Sequence, residues 1–312
     1  MAYPQRDPAT KPLIPDPLAP GTPSHLLLCG HGYVGQATTR DFLAAGWQVT
    51  AINRGSGCGG SPQAVEAAAR RSNLSSLTAD LSSREDIHRL AAAIPAPDFI
   101  VHCASSGRGG AEAYRHVYLD GCRHLLEAFP GVPLLFTSST SVYGQTDGRV
   151  VTEESPAQPD RETGHLLRET EDLVLSHDGI VFRLAGIYGP HRSVILKKFL
   201  AGESTLEEDG RRFLNQIHRD DAASAILHAA TTSLPGGLYN VADSHPRSQL
   251  DTFTALAELF DRPLPPSVPR DLNRKRGWTH KQVSNAKLRA AGWEPRHPDF
   301  LKAAESVAAS LG

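Results

Sequence analysis

From Ser24 onward the chain switches between two hydrophobic periods. "SHLLLCG" is an apolar run closed by glycine, "YVGQATTRDFLAAG" carries apolar residues at helical spacing up to Gly46, and "WQVTAI" is a second apolar run. This strand–helix–strand unit is then extended. "LSSLTAD", "DFIVHCAS", "PLLFTSS" and "GIVFRLAG" read as strands, with helices "SREDIHRLAAAI", "AYRHVYLDGCRHLLEAF" and "ETGHLLRETEDLVLS" between them. Strands separated by helices of roughly 10 to 15 residues indicate a parallel sheet covered on both faces. Beyond Gly189 the alternation weakens. Short helices ("SVILKKFLAG", "DDAASAILHAA", "DTFTALAELF") are separated by Pro- and Gly-rich loops.

The turn "CGHGYVGQ" places Gly30, Gly32 and Gly35 between the first strand and its helix, with His31, Tyr33 and Val34 as the intervening positions. Gly30 permits the tight turn, Gly32 lets a pyrophosphate approach the backbone, and Gly35 lets helix and strand pack closely. The helix N-terminus adds free N–H groups and positive potential. The fold expected is therefore α/β, a Rossmann-type doubly wound parallel sheet with a smaller C-terminal substrate-binding region. Residues 1–23 form a flexible Pro-rich extension, 24–189 the dinucleotide-binding domain, and 190–312 mainly a substrate-binding lid. Within the last, about 216–232 returns to the Rossmann core.

Where an acidic residue would hold the ribose 2'-OH of NAD, the second strand ends in Asn53 and Arg54. A guanidinium there can fork a 2'-phosphate, so NADP is favoured over NAD; the alternative is a solvated loop charge. Asp80 and Leu81, closing the third strand, are placed to border the adenine. Cys103, Ala104 and Ser105, closing the fourth, should run beside the ribose and pyrophosphate.

Composition narrows the partners. With 312 residues, 40% of them hydrophobic, and a net charge of -2, the chain can bury a large core and has no long Lys/Arg cluster. Nucleic acid and anionic membrane are disfavoured as partners, and a small-molecule substrate is expected. The proline-dense start lacks the apolar core of a signal peptide, and no later run is apolar enough to span a bilayer. Cys29, Cys58, Cys103 and Cys122 have no metal-ligand spacing, so no metal is assigned, and they suit a reducing cytoplasmic setting.

The ordered segments "LLFTSSTSVYGQTDG", "TEESPAQP", "VFRLAGIYGP" and "NQIHRDDAASAILHA" resemble the extended short-chain dehydrogenase/reductase family, the NAD(P)-dependent epimerase/dehydratase group, from Leu26 to "VSNAKLRAAGWEPRHP". The resemblance is strongest to atypical members carrying "IHRDD". It implies a Ser or Thr after the fifth strand, then a Tyr-x-x-x-Lys pair on the next helix, where the lysine lowers the tyrosine pKa and the tyrosine exchanges a proton with the substrate oxygen. Ser139 matches the serine. Counting back from Glu171, which resembles the glutamate that follows the motif, the lysine position is Leu167 and the tyrosine position Thr163. The helix contains no Tyr or Lys, so the usual relay cannot run through it.

Replacement acid/base candidates are Tyr143 in "SVYGQ", which could face the nicotinamide or line the substrate pocket, and His165, four residues before Glu169 on one helix face. An exposed polar face with an ordinary ion pair is the plainer reading of that pair. His102 reads as a core-edge histidine. His218, Asp220 and Asp221 read as structural. The resemblance also places Tyr188 and Arg183 at the substrate cleft. Leu214 stands where nucleotide-sugar members use an arginine, with Arg211 and Arg212 close by as substitutes, which points away from a nucleotide-sugar substrate.

Three functions remain open from sequence. The first is an NADP-dependent oxidoreductase or epimerase acting on a small carbonyl, lactone or sugar-related substrate through Ser139 and a non-standard acid/base. The second is a noncatalytic NADP-binding sensor or partner-docking protein. The third is a dehydratase or lyase with a recycled bound cofactor, using Glu153 or Glu154. The resemblance further implies a homodimer through "AYRHVYLDGCRHLLEAF" and "ETGHLLRETEDLVLS".

Overall fold

The computed structural model describes residues 23–54, 73–107, 109–271 and 278–311. Most of the Pro-rich extension and Cys58 therefore lie outside the described residues. Seven parallel strands form the central sheet: β1 (His25–Cys29), β2 (Gln48–Asn53), β3 (Leu74–Thr78), β4 (Phe99–His102), β5 (Leu134–Ser139), β6 (Ile180–Leu184) and β7 (Gly237–Val241). Their spatial order is β7-β6-β5-β4-β1-β2-β3. The order reverses between β1 and β4, where the register pairs Leu26 with Phe99 and Cys29 with His102. A doubly wound sheet opens a crevice at this reversal, beyond the carboxyl ends of its strands.

The central strands are apolar because both faces are covered. All five residues of β1 and all four of β4 are buried, as are all five of β6. The helix Tyr33–Ala44 and the helix Arg219–Thr231 pack on each other. The helical stretch 111–128 packs between Arg84–Ala93 and Glu162–Leu175. That stretch is not uniform: Ala111–Tyr114 and Gly121–Ala128 are α-helical, but Arg115–Asp120 between them is a π-helix. The sequence reading also missed β7, which the chain contributes from beyond Gly189. Its "GLYNV" is too short for a clear period and lies among loop-like prolines and glycines.

A second, smaller core lies outside the sheet. Leu196, Phe199, Leu206, Phe253, Leu256, Phe300 and Val307 pack there with Tyr188. Among the described residues no helix is long and apolar enough to cross a membrane.

Candidate functional site

The glycine-rich turn follows β1 and is held down by Gly30 N–H donating to Ile52 O at 2.9 Å. Gly30 has φ +107, and a Cβ on it would lie 2.4 Å from the Ala104 backbone. A Cβ on Gly35 would lie 2.0 Å from Gly30 O, whereas a Cβ on Gly32 would meet nothing within 4 Å. Two glycines thus let three backbones close on one another. The third faces open space, which suits a ligand approaching the helix N-terminus.

That space is a cleft of about 590 Å³, within the usual range for small-molecule sites. Gly30, His31, Gly32, Tyr33, Val34, Asn53, Arg54, Asp80, Leu81, Cys103, Ala104 and Ser105 all line it. Gly35 does not; it sits behind the turn, against Gly30. The Asp80 carboxylate accepts from Ser82 N and Oγ at 2.9 and 2.8 Å. Its pKa is lowered: these hydrogen bonds and the Arg54 guanidinium outweigh partial burial. Cys103 donates through Sγ to Gly30 O at 3.1 Å, and burial pushes its thiol up to about 12, so it is a packing group rather than a nucleophile.

At the far end the cleft is walled by Tyr114, Val117, Tyr118, Thr137, Ser138, Ser139, Leu167 and Leu184. Ser139 caps the short helical turn after β5 by accepting from Ser141 N at 3.2 Å, leaving its own O–H to donate into the cleft. Ser138 does not face a ligand in the same way, because its hydroxyl donates to the buried Glu171 at 2.5 Å. Glu171 also receives Arg183 Nε at 3.0 Å, Arg183 Nη2 and Arg168. Arg183 is 1% exposed and stacks over the Tyr143 ring at 4.6 Å, a buried ion network directly beneath the serines. Arg183, expected at the substrate cleft, is part of this network and does not line the cleft.

The structure does not bring several expected residues into the cleft. Tyr143 is buried, and its hydroxyl donates towards Thr152 O and Asn240 Oδ1, both at 2.9 Å. Burial raises its pKa against the pull of Arg183, so nothing prepares it for proton exchange with a ligand. His165 lies on the exposed face of its helix, and Glu169 pairs with Arg115 at 4.0 Å instead of orienting the imidazole. Tyr188 is buried in the second core, edge-on to His218 and Phe300, and burial raises its pKa. Arg211 is exposed and away from the cleft lining. Thr163 borders a separate cavity of about 20 Å³ with Tyr114, Ser141 and Leu167, while Leu167 also reaches the main cleft. Glu153, offered as a lyase base, accepts from Asn240 N at 2.7 Å.

His102 is fully buried with Nε2 against Val117 O at 2.8 Å, and burial lowers its pKa to about 4. His218, Asp221 and His297 converge, with ligand-type atoms within 4.8 Å of one another. Each already has a structural partner. His218 Nδ1 accepts from Asp220 N and caps its helix, and Asp221 accepts from Arg296 N and His297 N. The two rings stack at 3.7 Å, so their in-plane lone pairs do not point to one centre. Sequence reasoning missed Tyr114, Tyr118, Ile187 and Arg192 among the cleft residues. The tyrosines' i, i+4 spacing in "AYRHVYLDG" was an available signal.

A seven-stranded doubly wound sheet with a glycine-rich turn at its switch point defines the class. The chain belongs to the NAD dependent epimerase/dehydratase family, which its residues 26–242 match. It is 28% identical over 284 residues to Protein YeeZ of Escherichia coli K12, covering 88% of this chain and 96% of that one. A Methylobacillus flagellatus protein assigned to the NAD-dependent epimerases/dehydratases has a similar structure, with TM-score 0.73, 25% identity, and coverage of 93% of this chain and 99% of that chain. The fold is also that of Thermus thermophilus UDP-glucose 4-epimerase, solved with NAD, with TM-score 0.72 at 21% identity, covering 92% of this chain and 98% of that one.

Proposed function

We propose that this chain is a nicotinamide-dependent oxidoreductase or epimerase that prefers NADP and acts on a small carbonyl, lactone or sugar-related substrate. The observation that carries the reading is the continuous cleft from Arg54 past the glycine-rich turn to Ser139. The residues fit a dinucleotide: Gly32 presents bare backbone, and Arg54 lines the cleft just after β2, where its guanidinium is available to a 2'-phosphate. The bound nicotinamide supplies or takes a hydride. The chain's own work is to lay the pyrophosphate over Gly30–Gly35, hold a substrate oxygen with the Ser139 hydroxyl, and wall out water with Val117, Leu167 and Leu184. NAD-bound relatives such as the Thermus epimerase support a nicotinamide dinucleotide; the choice of NADP rests on Arg54.

A second reading, a noncatalytic NADP-binding sensor, is favoured by one specific observation. Thr163 and Leu167 replace the proton relay, and Tyr143 and His165 lie outside the cleft. Calorimetric titration with NADPH and NADH, followed by a screen of aldehydes, ketones and lactones for cofactor oxidation, separates the readings. Binding with turnover supports the enzyme, and binding without turnover supports the sensor. No binding of either dinucleotide contradicts both.

A further inference from the structure

Close to the positions of the missing Tyr and Lys, one phenol from a neighbouring helix borders the cleft. Tyr114 ends the first turn of the helical stretch after β4, directly before the π-helix Arg115–Asp120. Such interruptions of the α pattern frequently mark functional sites, because they re-aim the side chains around them. Here Tyr114 lies between two spaces. It lines the main cleft with Ser139 and Leu167, and it lines the 20 Å³ cavity with Ser141 and Thr163. A phenol from the neighbouring helix therefore stands beside the position where the helix Glu162–Leu175 offers only a threonine.

Three tyrosines line the cleft: the Tyr33 O–H is spent on the Pro190 carbonyl at 3.0 Å, Tyr118 holds the Ser106 backbone N–H at 3.1 Å and borders only the main cleft, and Tyr114 alone of the three also borders the smaller cavity. The Tyr114 hydroxyl forms no hydrogen bond with another described residue. Its ring is 7% exposed and rests edge-on against Tyr118 with centroids 5.0 Å apart. The ring is thus fixed while its O–H is free for a ligand.

We propose that Tyr114 is the proton donor of this site, a proposal that rests on reading the cleft as a nicotinamide dinucleotide site. A bound reduced nicotinamide would supply the hydride for carbonyl reduction, and the developing charge on the substrate oxygen is what this chain's own residues must meet. That oxygen takes the Tyr114 proton while Ser139 donates a hydrogen bond to it. A solvent proton, relayed through a water, then restores the phenol, so each turnover consumes one proton from the medium. A cavity of about 20 Å³ is large enough for one water, and Thr163 and Ser141 border it with Tyr114, so the relaying molecule has a place beside the ring. Leu167 offers the phenolate no charge.

The test is NMR of protein carrying 13Cζ-tyrosine, with the Tyr114 signal assigned by its loss in Tyr114→Phe. Oxidised NADP and 2'-phospho-ADP-ribose, the same molecule without nicotinamide, are added separately at saturation established by calorimetry. The expected result is that both bind and only the dinucleotide moves the Tyr114 signal. If both bind and the signal is unmoved, or moves equally with each, Tyr114 does not face the nicotinamide. In that case the proposal fails while the cofactor reading stands. If neither binds, the cofactor reading itself fails and takes the proposal with it. For any carbonyl compound the wild-type protein reduces, Tyr114→Phe should keep dinucleotide affinity and KM but lower kcat by about 10²- to 10⁴-fold. An unchanged kcat overturns the assignment.

Discussion

Gly32 and Gly35 are three residues apart in one turn, yet alanine should damage the protein in opposite ways. A Cβ on Gly32 meets nothing within 4 Å, and Gly32 has φ -89, which alanine adopts without strain. Gly32→Ala should therefore fold with wild-type stability, within about 0.5 kcal/mol. Its methyl stands where the pyrophosphate must touch the backbone, so it should remove a hydrogen bond to a charged group, worth about 1.5–3 kcal/mol, or about 10- to 150-fold in dissociation constant. Gly35 is the reverse. Its Cβ would lie 2.0 Å from Gly30 O and 3.0 Å from Gly30 C, and both are backbone atoms that cannot swing aside. Forcing them apart should cost about 3 kcal/mol or more, the upper end of overpacking penalties. For a chain of this size that corresponds to a fall in Tm of about 4–5 °C. Thermal melts with and without NADPH, together with calorimetric titration, read both effects on the same samples. A Gly32→Ala protein that binds NADPH as tightly as wild type would refute the argument that the ligand lies over this turn.

Other perturbations test other parts of the site. Arg54→Glu should weaken NADPH binding by about 10- to 150-fold, the loss of one charge-assisted contact, and leave NADH binding nearly unchanged; equal loss for both cofactors would show that Arg54 does not read the 2'-phosphate. Glu171→Ala strands the Arg183 guanidinium, only 1% exposed, and should cost about 3–5 kcal/mol in urea unfolding. The double change Glu171→Leu with Arg183→Met should recover much of that loss, and a single-site cost no larger than a surface substitution would contradict the burial argument. Burial raises the Asp243 carboxyl to about 8 in the folded chain, far above its value once unfolded. Between about pH 4 and 8 the folded chain therefore holds a proton that the unfolded chain has released, and stability falls as pH rises through this window. Asp243→Asn should gain on wild type steadily from pH 4 to pH 8; a constant difference would refute the assignment.

The Rossmann core was readable because its signals are local. An apolar run, a glycine turn and a helical period identify β1 and its helix without reference to anything distant. The same logic places Arg54 and Ser105 at strand ends on one sheet edge. What sequence could not supply was orientation after the strand ends. Tyr143 comes only four residues after Ser139, the last residue of β5, yet Ser139 borders the cleft while Tyr143 is buried and reaches Asn240, a partner 97 positions away. Tyr188 is likewise claimed by Phe300 from the far end of the chain. Tyr114 carried only one signal, its i, i+4 spacing from Tyr118, and nothing local set it apart from a packing residue. Its helix reads as an ordinary sheet-covering element, and the π-helical stretch behind it leaves no recognisable pattern in "RHVYLD".

The most direct measurement is a crystal structure of the protein grown with NADP. The pyrophosphate should lie over the bare backbone of Gly32, the 2'-phosphate beside Arg54, and nicotinamide C4 should face the hydroxyls of Ser139 and Tyr114. A dinucleotide bound elsewhere, or one whose nicotinamide faces only apolar atoms, would contradict the account at its centre.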